Sequence, residues 1–127
     1  MGFMHVTVGI SATPDGATRQ VRLLVDTGAF YSMAPRALLA ELGITPASRQ
    51  KLRLADGRIV EREAGYAFLH YPGRPPGPAV VVFAEPGDAL VLGVHTLEGL
   101  GLLVDPQAGT IREMDAAPLI AAAPGPA

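Results

Sequence analysis

The stretch Leu23-Leu24-Val25-Asp26-Thr27-Gly28-Ala29 decides how the rest of the chain is read. Three aliphatic residues run straight into an acid. A carboxylate placed behind such a run is costly to desolvate unless the backbone turns there and the acid has a job. Thr27 supplies a hydroxyl that can lock the loop by hydrogen bonding. Gly28 lets the main chain bend and lets another backbone approach closely. As a bare tripeptide, Asp-Thr-Gly is only a turn that ends a strand, so its weight comes from what stands on either side.

Upstream, Val6, Val8 and Ile10 alternate with polar or small residues, the pattern of a half-buried strand. Thr13-Pro14-Asp15-Gly16 is a turn, and a second strand from Thr18 to Val25 leads into Asp26. Downstream, Pro35 to Leu42 reads as a short helix: Leu38, Leu39 and Leu42 share a face, and Gly43 supplies the stop. Leu52 and Leu54 lead into Asp56-Gly57, and an alternating run follows from Ile59 to Tyr71. That spacing predicts a hairpin with a type I′ turn. Residues 72–78 are too proline-rich for anything but a loop, and Ala79 to Phe83 is a continuous apolar run expected to be a buried strand. Glu85 to Asp88 turns the chain into Leu90-Val91-Leu92-Gly93. A second short helix carries Val94, Leu97 and Leu100, and a hairpin spans Leu102–Val104 and Thr110–Met114. Many short strands with two short helices and no strand–helix–strand alternation predict an all-β domain, a closed or nearly closed barrel or sandwich.

The 127 residues are expected to form one domain over 1–115, followed by a loose Ala/Pro-rich tail, 116–127. A formal net charge of −2 without a basic block gives no reason to expect nucleic acid or an anionic membrane as partner. The absence of cysteine excludes disulfides, thiolate catalysis and Cys-ligated zinc. The opening residues show neither a basic region nor a long apolar one, and a cytoplasmic location is the default expectation.

The order of these pieces resembles that of the retropepsin-like aspartic proteases, the family of the retroviral proteases and their bacterial relatives. There an apolar strand runs into Asp-Thr-Gly-Ala, followed by a hairpin flap, a buried strand, and an apolar-apolar-Gly that begins a helix. Here the matching segments are LLVDTGA (23–29), LADGRIV (54–60), AVVVF (79–83) and VLGVHTLEGLG (91–101). The resemblance covers roughly Met4 to Asp115 and is closest to the small bacterial members, which also continue past the helix into an Asp-Pro turn.

The resemblance implies a closed β-barrel with one or two short helices, and an aspartic endopeptidase that hydrolyses peptide bonds with no metal or other cofactor. Asp26 would be the catalytic acid, with Thr27, Gly28 and Ala29 forming its loop. Leu54, Ala55, Asp56, Gly57 and Arg58 would be the flap over bound peptide. Phe30, Val91, Leu92 and Gly93 would line the pocket. Such chemistry needs two carboxylates close together, one kept protonated by the other's charge. The chain holds one Asp-Thr-Gly, so a two-fold homodimer is expected to bring two Asp26 residues together at its axis. A non-catalytic dimeric peptide-binding or assembly module is the alternative.

Many retroviral members place an acid after Asp-Thr-Gly-Ala that pairs with an Arg after the later apolar-apolar-Gly. Phe30 and Val94 occupy those places here, and the paired loss predicts an apolar contact instead of an ion pair.

Other candidates read as structural. His5, His70 and His95 match no metal-ligand spacing. Ser32 has no Gly-x-Ser-x-Gly context. Asp88 and Asp105 are explained by turns, and Glu61, Arg62 and Glu63 by a solvated stretch of strand.

Overall fold

The computed structural model describes residues 4–116. Nine strands and two short helices follow one another: β1 (His5–Ser11), β2 (Thr18–Asp26), β3 (Ser32–Pro35), α1 (Arg36–Glu41), β4 (Ser48–Arg53), β5 (Ile59–His70), β6 (Gly77–Ala84), β7 (Val91–Gly93), α2 (Val94–Gly99), β8 (Leu102–Asp105) and β9 (Thr110–Glu113). The all-β expectation holds. Of the expected tail, only Ala116 lies within the described residues.

Seven strands form one sheet in the order β1-β2-β7-β3-β6-β5-β4. A further pairing of Gly9–Ser11 with Phe68–His70 joins β1 to β5 and closes six of them into a ring, leaving β4 attached outside it on β5. At this seam Ser11 Oγ and His70 Nε2 stand 2.6 Å apart, and the Ser11 hydroxyl also contacts the Thr13 carbonyl oxygen at 2.6 Å.

Two pairings in the ring are parallel, β2 with β7 and β3 with β6. Parallel neighbours need a long crossover, which is why strands remote in sequence meet next to Asp26. β6 lies between β3 and β5 with α1 and α2 packed against it, so Val81, Val82, Phe83 and Ala84 are all buried. That explains a continuous apolar run in place of alternation. The inside of the ring is filled by Val8, Ile10, Leu23, Leu69, Val81, Phe83 and Leu92, with Leu39 from α1 and Leu97 from α2 added to the same cluster.

β5 is the longest strand and plays three parts. Its first half pairs with β4, its middle with β6, and its last residues with β1. The hairpin that opens it is therefore continuous with the ring. Among the described residues no helix is long and apolar enough to cross a membrane.

Several local readings need correction. The β4–β5 connection is a three-residue loop, not a type I′ turn: the Gly57 N–H donates to the Leu54 carbonyl, the Leu54 N–H donates to the Arg58 carbonyl, and only Gly57 has positive φ, at 88°. Asp56 stays at negative φ, as the three-residue geometry allows. Ser32–Pro35 is a strand, and Pro35 is the N-cap of α1 instead of its first helical residue. Asp88 and Arg62 are not merely turn and solvated strand. The Arg62 guanidinium donates to both Asp88 carboxylate oxygens, at 2.7 and 3.0 Å, with side chains only 20% and 15% exposed.

Candidate active site

Asp26 is the last residue of β2 and pairs in parallel register with Gly93 of β7. Beyond it the chain reverses at once. The Ala29 N–H donates to the Asp26 carbonyl at 3.1 Å, and the Gly28 N–H donates to Asp26 Oδ1 at 2.9 Å. A side-chain oxygen bonded two residues ahead is the local device by which aspartate stabilises a turn, and here it also fixes the carboxylate's direction.

A second set of bonds ties this loop to α2. The first backbone N–H groups of a helix have no partner inside it. Gly93, the N-cap of α2, has no side chain to offer them. The loop supplies the acceptors: the Val94 N–H donates to the Ala29 carbonyl at 2.9 Å and the His95 N–H to the Phe30 carbonyl at 3.4 Å. Gly93 is buried beneath the same loop, where an added Cβ would stand 2.5 Å from the Tyr31 carbonyl oxygen and 2.8 Å from that of Phe30.

Ser32 completes the brace. Its buried hydroxyl accepts from the Gly93 N–H at 3.0 Å and shares a 2.6 Å hydrogen bond with Thr96 Oγ1. The structural role expected for Ser32 is met, but the sequence reading gave no hint of its partners. A polar residue opening a short apolar strand just after the Asp26 loop, with a Thr three residues after the later Gly, was the available signal.

A cleft of about 640 Å³ opens beside Asp26. The loop contributes Asp26, Gly28, Ala29, Phe30 and Tyr31, the floor comes from Met33, Val82, Ala89 and Val91, and the far wall is Lys51 to Ala55 of β4 and the hairpin. Of the residues singled out from sequence, Asp26, Gly28, Ala29, Phe30, Val91, Leu54 and Ala55 thus stand around one space. The others stand apart from that lining. Leu92 is fully buried in the core, Gly93 lies under the loop, Thr27 is exposed beside the turn, and Asp56, Gly57 and Arg58 form the exposed hairpin tip.

At that tip Asp56 accepts from the Arg58 backbone N–H at 3.0 Å and from its guanidinium at 2.7 Å. The backbone N–H first, and the guanidinium next, hold the Asp56 carboxyl below its ordinary range. Asp88 is likewise lowered, chiefly by the Arg62 guanidinium, and its Oδ2 also accepts from the Glu85 N–H at 2.8 Å.

The Phe30 ring, 59% exposed, stacks on His95 at 5.2 Å with planes 20° apart and meets Tyr31 edge-on at 4.8 Å. The main-chain register of the loop on α2 sets the imidazole beneath it. His95 is on the exposed side of α2, as expected.

A family model described as aspartyl protease matches residues 10–96. The chain belongs to the aspartyl protease family. The match runs from within β1 into α2 and so includes the Asp26 loop, the β4–β5 hairpin and β7 of this aspartyl protease domain. No curated protein matches the chain. Among the described residues no group of three or more His, Asp or Glu side chains is arranged to hold a metal ion.

Proposed function

We propose that this chain is an aspartic endopeptidase that works as a two-fold homodimer, with Asp26 of each protomer supplying one of two catalytic carboxylates. The observation that carries this reading is the placement of Asp26. It stands at the end of a strand, on a loop braced from behind, beside a cleft of about 640 Å³.

In the dimer one Asp26 is ionised and the other protonated, since like charges at that distance do not both ionise. The ionised carboxylate takes a proton from water as its oxygen adds to the scissile carbonyl carbon. The protonated one gives its proton to the carbonyl oxygen. Collapse of the gem-diol intermediate breaks the C–N bond: the newly protonated carboxyl gives its proton to the leaving nitrogen while the other carboxylate takes one from a hydroxyl of the intermediate, which restores the pair with one proton. The Gly28 N–H on Oδ1 keeps the carboxylate aimed through these steps. The Thr27 hydroxyl makes no hydrogen bond among the described residues and is free to meet the partner's loop. The hairpin of residues 54–58 covers the peptide. Phe30 and Ile59, large apolar side chains 59% and 57% exposed, are surfaces for substrate or partner to cover.

The test is mixing and dilution. Asp26→Asn lowers peptide cleavage at least about a thousandfold while circular dichroism and sedimentation stay as in wild type. Adding that variant to wild type poisons activity beyond simple dilution, because mixed dimers carry one working acid. Cleavage at wild-type rate by Asp26→Asn, or constant specific activity where sedimentation shows pure monomer, rules the reading out.

A further inference from the structure

The ten Lys and Arg side chains divide unevenly between paired and unpaired. Arg19, Arg36, Arg49, Arg58, Arg62 and Arg74 each have a carboxylate within ion-pair distance. Among the described residues, Arg22, Lys51, Arg53 and Arg112 have none. Two of those four, Lys51 and Arg53, line the Asp26 cleft.

Both are exposed and stand two residues apart on β4. Their surroundings leave the positive charge uncompensated. Glu61 lies opposite Lys51 in the β4–β5 register, yet its carboxylate is turned to Arg49, 3.9 Å away. Arg53 directs Nη1 to the Gly57 carbonyl at 3.4 Å, a neutral acceptor. The tip beyond them is neutral, because Asp56 and Arg58 pair with each other. Among the described residues Asp26 is the only carboxylate that lines the cleft. A chain of net charge −2 thus carries a positive wall at its candidate active site.

We propose that this wall selects the substrate: the cleft takes extended peptides with an Asp or Glu side chain flanking the scissile bond, held by Lys51 and Arg53. The proposal rests on the peptidase reading for the role of the cleft, and adds the class of peptide. A side-chain carboxylate laid along β4 gains two charge-assisted contacts that glutamine cannot match and that lysine turns into repulsion. Exposed pairs are individually weak and screened by salt, so the effect is a preference of several-fold and not an absolute requirement.

Binding to Asp26→Asn separates this proposal from the catalytic one, because it needs no turnover. Three fluorescent peptides, identical except for Glu, Gln or Lys at one position, are titrated by anisotropy in about 20 mM and about 500 mM salt. The Glu peptide binds about three- to tenfold more tightly than the Gln peptide at low salt, the Lys peptide binds most weakly, and the spread contracts to within about twofold at high salt. Lys51→Gln with Arg53→Gln removes the preference, whereas Arg22→Gln with Arg112→Gln keeps it. If the first pair unfolds the chain, Lys51→Gln alone, which should lessen the preference, decides. Equal affinities, no binding of any of the three peptides, or a preference that survives loss of the cleft cations overturns the proposal. Wild-type cleavage of all three peptides at equal rates and with equal binding overturns it while leaving the peptidase reading intact. Discriminating binding with no cleavage does the reverse.

Discussion

The Asp26 loop and the hairpin at residues 54–58 face one another across the cleft, but they are held in opposite ways. The loop is fastened to segments remote in sequence: β7 in parallel register, α2 through two backbone bonds, and Ser32 through Gly93 and Thr96. The hairpin tip is held by its own residues, Leu54 to Gly57 and to Arg58, and Asp56 to Arg58. The Arg62–Asp88 pair ties the base of the hairpin strand to the turn leading into β7, the strand that pairs with the end of β2. Long-range bracing makes a position stiff because no single opening event releases it, whereas a locally closed turn can open without disturbing its surroundings. Asp26 therefore sits on the stiffer of the two segments and the hairpin tip is the one freer to move, the division that the proposed roles of acid and cover require.

The strongest way to break this contrast is Gly93→Ala. The new methyl would meet main-chain atoms of Tyr31 and Phe30, which have no side-chain freedom to yield. A loss of about 3 kcal/mol in unfolding free energy is expected, with cleavage falling in step as the Asp26 loop shifts. Urea melts and a fixed-substrate assay on the same preparation would show whether the two losses travel together.

Asp88→Ala tests the joint. It leaves Arg62 beside an emptied, largely buried position, and a drop in Tm of about 5 °C at pH 7 is expected. The pH dependence has a definite sign. The folded-state carboxyl of Asp88 is lowered, so its stabilising contribution is present above the ordinary carboxylate value of about 3.9 and is lost as pH falls through the folded value. The Tm gap between wild type and Asp88→Ala should hold from pH 7 to about 5 and close only in stronger acid. A gap that closes near pH 6 would mean the pair is not what sets it.

Gly57→Ala addresses the hairpin tip and should have the smallest effect on stability. A φ of 88° suits glycine and penalises alanine by about 1 kcal/mol, a cost confined to the tip. Tm should fall by about 4 °C or less while kcat/KM falls several-fold. Hydrogen exchange sharpens the same point: amides at Gly57 and Arg58 exchange far faster than those at Leu24 and Val25, and slow when a peptide-like inhibitor binds.

The sequence displayed those parts of the site whose reasons are local. Asp26 stood out because an acid ends an aliphatic run, the hairpin because Asp56-Gly57 sits between two β-type stretches, and the buried β6 because Val80 to Phe83 is unbroken. What stayed hidden depends on partners far along the chain. Arg62 and Asp88 each look ordinary among their neighbours, and only the fold brings them together. β3 was missed because four residues ending in proline carry too little periodicity, and its strand character comes from its neighbours β6 and β7. The hairpin's turn type was misread because Asp-Gly fits both two- and three-residue loops, and the choice rests on the register between β4 and β5.

The bond between the Gly93 N–H and the Ser32 hydroxyl spans 61 residues and bears on how the protein is made. At ribosomal speeds of 5–20 residues per second, about 3 to 12 s pass between synthesis of the Asp26 segment and arrival of the residues that brace it. During that interval β2 has its neighbour β1, but the Asp26 loop lacks the support of β7 and α2. Synthesis itself thus holds a delay before the Asp26 loop can take up its braced shape.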